Sequence, residues 1–205
     1  PSGIKENKEK MEEAFRCGLE QAEKILQDIC WEEYEDILFV SKSIGTVISS
    51  AFARRHQLSA KNILFTPLQQ TFLFADGNGI VFHGTADPWA DTKDITEGCK
   101  KLNLPLILTD EGNHSLETGD TLKDLENLQQ IIGLLFNSLD KLQTKPLPPI
   151  RHICDFSRGA LNVRSTRSHP TLAPRPQICL IGGNGFCAVA GEGELNRGRG
   201  FGDRS

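Results

Sequence analysis

The sequence predicts an α/β fold, a three-layer α/β sandwich with a mostly parallel sheet, followed by an irregular or disordered C-terminal tail. Three observations support this prediction: four short apolar runs alternate with helical or loop segments, the runs are uninterrupted, and the composition changes near residue 144. Uninterrupted apolar runs suit the strands of a parallel sheet that is covered on both faces. The alternation of strands with helices indicates right-handed βαβ crossovers.

The elements can be placed in chain order from these patterns. Apolar residues recur at three- and four-residue steps over residues 5–29, which predicts an amphipathic helix. The apolar runs predict strands at 37–40, 63–65, 80–82 and 104–108. A second periodic segment, from Leu122 to Leu139, predicts a closing helix.

The charge distribution divides the chain. Up to Lys145 there are 15 Lys and Arg against 23 Asp and Glu, whereas the remainder carries eight arginines and four acids. The same remainder holds 6 of the 10 prolines and 9 of the 19 glycines. Such a composition disfavours a packed core. We therefore predict a domain over residues 1–144 and a Pro/Gly/Arg-rich tail of low order over residues 145–205.

Composition also narrows the function classes. No apolar run approaches the roughly 18 residues of a membrane span, and no signal peptide is evident, so we expect a cytoplasmic protein without membrane contact. The glycine cluster at 182–185 lacks a phosphate-binding spacing, and the single arginine-glycine run at 197–202 is weak evidence for RNA. We expect no cofactor, no metal and no nucleic-acid partner. The cysteines lack metal-ligand spacing and are interpreted as free thiols: Cys17, Cys30, Cys99, Cys154, Cys179 and Cys187.

The most informative motif is Ser41-Lys42-Ser43-Ile44-Gly45, which follows the apolar run Ile37–Val40 and leads into a helical segment. A strand, a tight turn with a serine at its apex and a helix are the parts of a nucleophile elbow. The sharp turn needs small residues two positions before and after the serine, and Ser41 and Gly45 meet that need. We therefore expect Ser43 to project from the turn at a helix N-terminus.

An acid and a histidine follow the serine in chain order, each just after a predicted strand. Asp87 follows the apolar run at 80–82. His114 follows the apolar run at 104–108, after a short polar segment. Ligands of open parallel sheets bind at the carboxyl ends of the strands. We therefore expect Ser43, Asp87 and His114 to meet at one sheet edge.

Each of these residues also has a simpler interpretation. Ser43 could be an N-cap, because serine is favoured there, and Asp87 could open a turn before proline. Nearby alternatives for the acid are Asp91 and Asp94. Two further histidines are interpreted as packing or surface residues: His56 and His83.

With these motifs in order, residues 30–142 resemble the C-terminal part of a small single-domain α/β-hydrolase, similar to dienelactone hydrolases and compact bacterial esterases. His83–Trp89 is similar to the family's acid loop, and Gly112–Ser115 is similar to its histidine loop. The resemblance implies a partial α/β-hydrolase fold, with Ser43 as nucleophile, His114 as base and Asp87 as the residue that orients the base. It also leads us to expect that the family's N-terminal strands are missing.

Two further site residues are expected from their positions. The backbone N–H of Ile44, next after the nucleophile, would donate to the oxyanion, and Trp89 would line the substrate pocket. The second oxyanion donor, which the family takes from its first βα loop, has no counterpart that we can identify. Losing one such donor costs about 10²- to 10³-fold in rate.

Two function classes follow from this sequence. The first is a serine hydrolase of carboxylesterase type that cleaves a small ester or related acyl compound through an acyl-serine intermediate. The alternative is a truncated, catalytically inactive hydrolase-like protein that acts at most as an interaction module. Missing strands would leave an apolar sheet edge uncovered, which would allow self-association.

Overall fold

A computed structural model describes residues 8–34, 36–140, 150–155, 177–181 and 186–190. The helices are α1 (Lys8–Leu26), α2 (Ile44–Arg55), α3 (Thr92–Leu102) and α4 (Thr121–Asp140). The strands are β1 (Ile37–Lys42), β2 (Ala60–Phe65), β3 (Gly79–Gly84), β4 (Leu106–Thr109), β5 (Ile150–Asp155), β6 (Gln177–Ile181) and β7 (Phe186–Ala190). Single turns of 3₁₀ helix cover Trp31–Glu33 and Gln69–Leu73.

The two predicted helices and the four predicted strands are confirmed, with shifted ends. Among the strands the largest shift is in β2, which begins at Ala60, three residues before its apolar run, and α1 likewise ends at Leu26, three residues before its predicted end. Lys61 and Asn62 interrupt the apolar pattern there, although Asn62 is buried and its amide donates to the carbonyl of Ala60. Within the described part of the chain, no helix is both long and apolar enough to cross a bilayer.

The first four strands form a parallel sheet in the order β4-β3-β2-β1. Consecutive strands are neighbours, and each parallel step crosses over through a helix or a loop, as βαβ units require. The parallel direction brings the carboxyl ends of all four strands to one edge. The predicted α/β fold is confirmed.

Side chains of the sheet alternate between two helical layers. Phe39 lies in a cluster with Leu26 of α1 and Phe52 of α2. Leu38, the next residue along β1, belongs instead to a cluster that includes Ile131 of α4. Because successive strand residues point to opposite faces, α1 and α2 cover one face and α4 the other, which gives three layers.

The C-terminal tail contributes three strands where the sequence predicts irregular structure. β6 pairs with β1 in parallel, with Ser41 opposite Ile181, and β7 and β5 continue the sheet in antiparallel pairs. The rest of the tail, and the predicted boundary near residue 144, lie outside the described residues. β6 pairs with the side of β1 that β2 leaves open, and self-association through an uncovered sheet edge stays a prediction.

Candidate active site

Ser43 occupies a sharp turn between β1, which ends at Lys42, and α2, which begins at Ile44. Its backbone has φ 54° and ψ −128°, a combination that L residues rarely adopt. Such strain costs about 1–3 kcal/mol and persists only where the surroundings enforce it. The chain therefore passes from a strand through a strained turn into a helix, as the sequence predicts, and Ser43 is half-buried at the apex of this elbow.

The surroundings that enforce this turn are hydrogen bonds from both sides. The N–H of Ser43 donates to the carbonyl of Phe65 at the end of β2, at 3.0 Å. The Ser43 carbonyl accepts from the N–H of Thr46 at 3.0 Å and from the Thr46 hydroxyl at 2.6 Å. That hydroxyl also lies 2.6 Å from the hydroxyl of Thr71. Buried threonines thus hold the Ser43 carbonyl in place.

The small residues on either side of Ser43 are buried, as a sharp elbow requires. Ser41 is 2% exposed and its hydroxyl accepts from Ser49 of α2 at 3.0 Å, which joins strand and helix directly. Gly45 is also buried. Ser43 occupies the N-cap position of α2, but its side chain makes no capping hydrogen bond and its φ lies outside the extended region typical of N-caps.

Asp87 lies in a loop that begins where β3 ends, and this acid loop is joined to the histidine loop after β4. The N–H of Ala86 donates to the carbonyl of Gly112 at 2.9 Å, and the N–H of Thr85 donates to that of Thr109 at 3.0 Å. At Gly84 the two backbones approach so closely that an added Cβ would overlap the carbonyl oxygens of Gly112 and Asn113. Only glycine fits there without displacing one loop.

The two loops bring Asp87 and His114 into direct contact. The Nδ1 atom of His114 is 2.8 Å from Oδ2 of Asp87, whose carboxylate is fully buried while the His114 side chain is 21% exposed. The other carboxylate oxygen, Oδ1, accepts from the N–H of Trp89 at 2.8 Å. Asp87 therefore opens a turn and also contacts His114, and its role as the acid of the site stays a prediction.

This contact fixes the tautomer of His114. A carboxylate can only accept hydrogen bonds, so Nδ1 of His114 carries the proton, and in the neutral ring Nε2 keeps its lone pair. An imidazole held in this way is suited to remove a proton through Nε2. The alternative acids are engaged differently: Asp91 caps α3 by accepting from the N–H of Lys93, and Asp94 lies in the first turn of that helix.

Ser43 lies at the same sheet edge as this pair, because β1, β3 and β4 all end there. Adjacent strands are about 4.8 Å apart, so roughly 10 Å separates β1 from β3, with β2 between them. The contact between Ser43 and His114 stays a prediction. Ile44 is the first residue of α2, where helix N–H groups have no partner within the helix, and its oxyanion role also stays a prediction.

Trp89 and His83 flank the acid on different sides. The Trp89 ring centroid is 6.0 Å from that of His114, and the indole is half-buried. The pocket role predicted for Trp89 is untested. His83, interpreted from sequence as a packing or surface residue, is fully buried and lies 3.9 Å from the Asp87 carboxylate through its Nδ1 atom. His56 is a surface residue that lies 2.7 Å from Glu23.

Other reactive groups do not compete with this site. Among the residues that the structure describes, no group of three or more His, Cys, Asp or Glu could hold a metal ion. The cysteines whose side chains are described, Cys17, Cys30 and Cys99, are free thiols. Burial raises the pKa of Cys99 to about 11, so this thiol stays protonated and is a poor nucleophile near neutral pH.

Comparisons with known proteins give limited information. No protein-family model matches the chain, and no curated protein matches it. One solved structure with a detectable likeness belongs to a protein from Xanthomonas campestris pv. campestris that is assigned as a hydrolase of the alpha/beta superfamily. The two share 17% sequence identity with a TM-score of 0.40, over 59% of this chain and 70% of that one. A likeness at this level establishes neither a family nor an activity.

Proposed function

We propose that this protein is a serine hydrolase of carboxylesterase type that cleaves a small carboxylic ester or related acyl compound. The observation that carries the proposal is the 2.8 Å contact between Nδ1 of His114 and the buried carboxylate of Asp87. It occurs at the same sheet edge as the strained elbow at Ser43. A structural histidine or a capping serine alone would require neither feature.

The proposed reaction proceeds in two steps. His114 Nε2 takes the hydroxyl proton of Ser43 while Ser43 Oγ bonds to the acyl carbon, and the carbonyl oxygen becomes an oxyanion. The oxyanion collapses, the bond to the leaving group breaks, and His114 gives its proton to the departing alkoxide. Water then repeats the sequence: His114 removes its proton, the acyl-serine bond breaks, and Ser43 regains a proton as the acid departs.

Electrostatics at the elbow favour the charged intermediate. The N-terminus of α2 places partial positive charge beside Ser43, and the Ile44 N–H is the proposed donor to the oxyanion. Asp87 stabilises the imidazolium that forms on His114 during each step. Trp89 is proposed to line the side of the pocket next to His114.

Pre-steady-state hydrolysis of p-nitrophenyl acetate and butyrate tests this proposal. We expect a burst of p-nitrophenol with an amplitude near one equivalent per chain, because p-nitrophenolate is a good leaving group and acylation of Ser43 should be faster than hydrolysis of the acyl-serine. Ser43→Ala should abolish the burst, whereas Ser115→Ala should retain it, since Ser115 is exposed in the histidine loop. A folded wild-type chain without a burst and without turnover would contradict the proposal and favour a noncatalytic interaction protein.

A further inference from the structure

His83 lies in β3, four residues before Asp87, and its side chain is fully buried. Its two ring nitrogens face different groups. Nε2 lies 3.1 Å from the hydroxyl of Thr92, the first residue of α3. Nδ1 lies 3.9 Å from Oδ2 of Asp87, the same oxygen that binds His114. One carboxylate oxygen therefore faces two histidines.

Among the described side chains, the Nδ1 atom of His83 is one of four buried polar atoms without a hydrogen-bond partner. A buried polar atom of this kind costs free energy unless it serves some other interaction. At 3.9 Å the distance to Asp87 exceeds that of a hydrogen bond. The interaction between the ring and the carboxylate is therefore electrostatic, and it acts in a water-excluded setting where such interactions are strong.

The lowered pKa of His83 favours the uncharged ring near pH 7. Burial lowers the pKa of His83, and this effect outweighs the attraction of Asp87 and Asp91, which raise it, while His114 lowers it further. A neutral imidazole carries one N–H. Placed on Nε2, the proton would leave the Nδ1 lone pair facing a carboxylate oxygen, which is repulsive. Placed on Nδ1, the proton faces that oxygen, and Nε2 can accept from the Thr92 hydroxyl at 3.1 Å, a shorter contact than the 3.5 Å from the same hydroxyl to its other acceptor, the Thr85 carbonyl.

We infer that His83 is a positioning residue for the reaction proposed above. As the neutral Nδ1–H tautomer, fixed by Thr92, it acts through Asp87: its N–H faces Oδ2 and helps to hold that oxygen where His114 can bind it. The inference rests on the proposed function for its catalytic consequence. The tautomer itself is a property of the folded chain and does not depend on turnover.

Two substitutions at this position separate positioning from packing. In His83→Asn the side-chain amide can occupy the place of Nδ1 and keep a donor towards Asp87. In His83→Gln the amide reaches the place of Nε2, so the Thr92 contact is kept and the donor towards Asp87 is lost. Glutamine is closer to histidine in size, so a purely structural role predicts that His83→Gln is the milder change. The positioning role predicts the opposite.

We expect kcat for p-nitrophenyl butyrate to fall about 10- to 100-fold in His83→Gln with little change in KM, the size of effect reported for groups that orient catalytic ligands. His83→Asn should retain kcat within about fivefold. A His83→Gln variant as active as wild type, or more active than His83→Asn, would overturn the inference.

Thr92→Val tests the other end of the arrangement. The substitution removes the hydroxyl that fixes Nε2, so part of the His83 population should shift its proton and kcat should fall about threefold to tenfold. Thr96→Val is the matched control, because Thr96 also makes a hydroxyl bond, to the Thr92 carbonyl, but has no contact with His83. Equal losses in the two variants would contradict the role of Thr92.

Imidazole ¹⁵N NMR of the wild-type chain tests the tautomer without any substrate. We expect His83 to give the signals of a neutral ring with its proton on Nδ1 across neutral pH. A proton on Nε2, or a charged ring at pH 7, would overturn the inference even in an active enzyme. Conversely, the expected tautomer in a chain without esterase activity would leave the inferred geometry intact and contradict only the proposed function.

Discussion

The elbow around Ser43 and the loops that hold Asp87 and His114 achieve their geometry by different physical means. The elbow is local: strand, turn and helix are contiguous, and a strained backbone is held by hydrogen bonds at Phe65 and Thr46. The acid and base are 27 residues apart and meet because two loops are joined by backbone hydrogen bonds and a close approach at Gly84. The turn at Ser43 therefore depends on local backbone strain, whereas the meeting of Asp87 and His114 depends on long-range register. The histidine loop has positive-φ residues of its own, Glu111 and Leu116.

Of the substitutions that distinguish the two halves of the candidate site, one at Asp87 should have the largest effect on activity. Asp87→Asn replaces an acceptor by an amide that can donate to His114 Nδ1, which then presents the wrong tautomer. We expect kcat for p-nitrophenyl butyrate to fall about 10⁴-fold with little loss of stability. Asp91→Asn is the matched control, because Asp91 caps α3 and does not bind the histidine; it should retain activity. Similar losses in both variants would mean that Asp87 is only a turn residue.

Gly84→Ala should break the register between the acid and histidine loops. The new Cβ meets backbone oxygens, which cannot rotate away, so we expect the free energy of unfolding to fall by about 3 kcal/mol and the burst to be lost. Gly133→Ala in the exposed part of α4 has open space around it and should stabilise the chain by up to about 1 kcal/mol. Urea denaturation measures both. An unaffected Gly84→Ala variant would contradict the close approach of the loops.

Thr46→Val should destabilise the turn at Ser43 without changing the contact between Asp87 and His114. It removes one of two donors to the Ser43 carbonyl and leaves the Thr71 hydroxyl without its partner, which should cost about 2 kcal/mol. The double variant Thr46→Val/Thr71→Val should recover part of that loss, because no lone hydroxyl remains buried. A double variant less stable than the sum of the single ones would show that the two hydroxyls do not form the pair described.

The smallest expected effect is a difference in stability between two substitutions of Ser43, which tests whether the backbone is strained at that residue. Ser43→Gly should unfold with a free energy about 1 kcal/mol higher than Ser43→Ala, because glycine accepts φ 54° and ψ −128° without steric cost. Ser115→Gly against Ser115→Ala serves as the control, since Ser115 is not among the residues with positive φ. We expect no gain from glycine there. A gain at position 115 equal to that at 43 would argue against strain at the elbow.

Prediction from the sequence succeeded for structural features that depend on contiguous residues. The elbow at Ser43 and the strands with uninterrupted apolar runs could be predicted because their determinants lie next to one another. The start of β2 could not, because Asn62 is polar yet buried through hydrogen bonds that depend on its neighbours. The pairing of β6 with β1 was missed because it joins residues about 140 positions apart, and long-range pairing leaves little trace in local composition.

The choice among acids and histidines also depends on three-dimensional contacts. Asp87 and Asp91 both follow β3 in the sequence, and only the fold shows that one binds His114 while the other caps α3. The contacts of His83 with Asp87 and Thr92 are likewise evident only from the fold. A histidine four residues before a candidate acid is a weak signal by itself, and its significance comes from complete burial and from the 3.9 Å approach to the same carboxylate oxygen.

The most direct test of the central claim is covalent labelling of the folded chain with a fluorophosphonate, followed by intact mass measurement and peptide mapping. If Ser43, His114 and Asp87 act as one site, we expect a single adduct per chain, located on Ser43. The labelling should be lost after heat denaturation and slowed at least about 10³-fold in His114→Ala. A soluble, folded chain that takes up no label, or one labelled at another residue, would contradict the account.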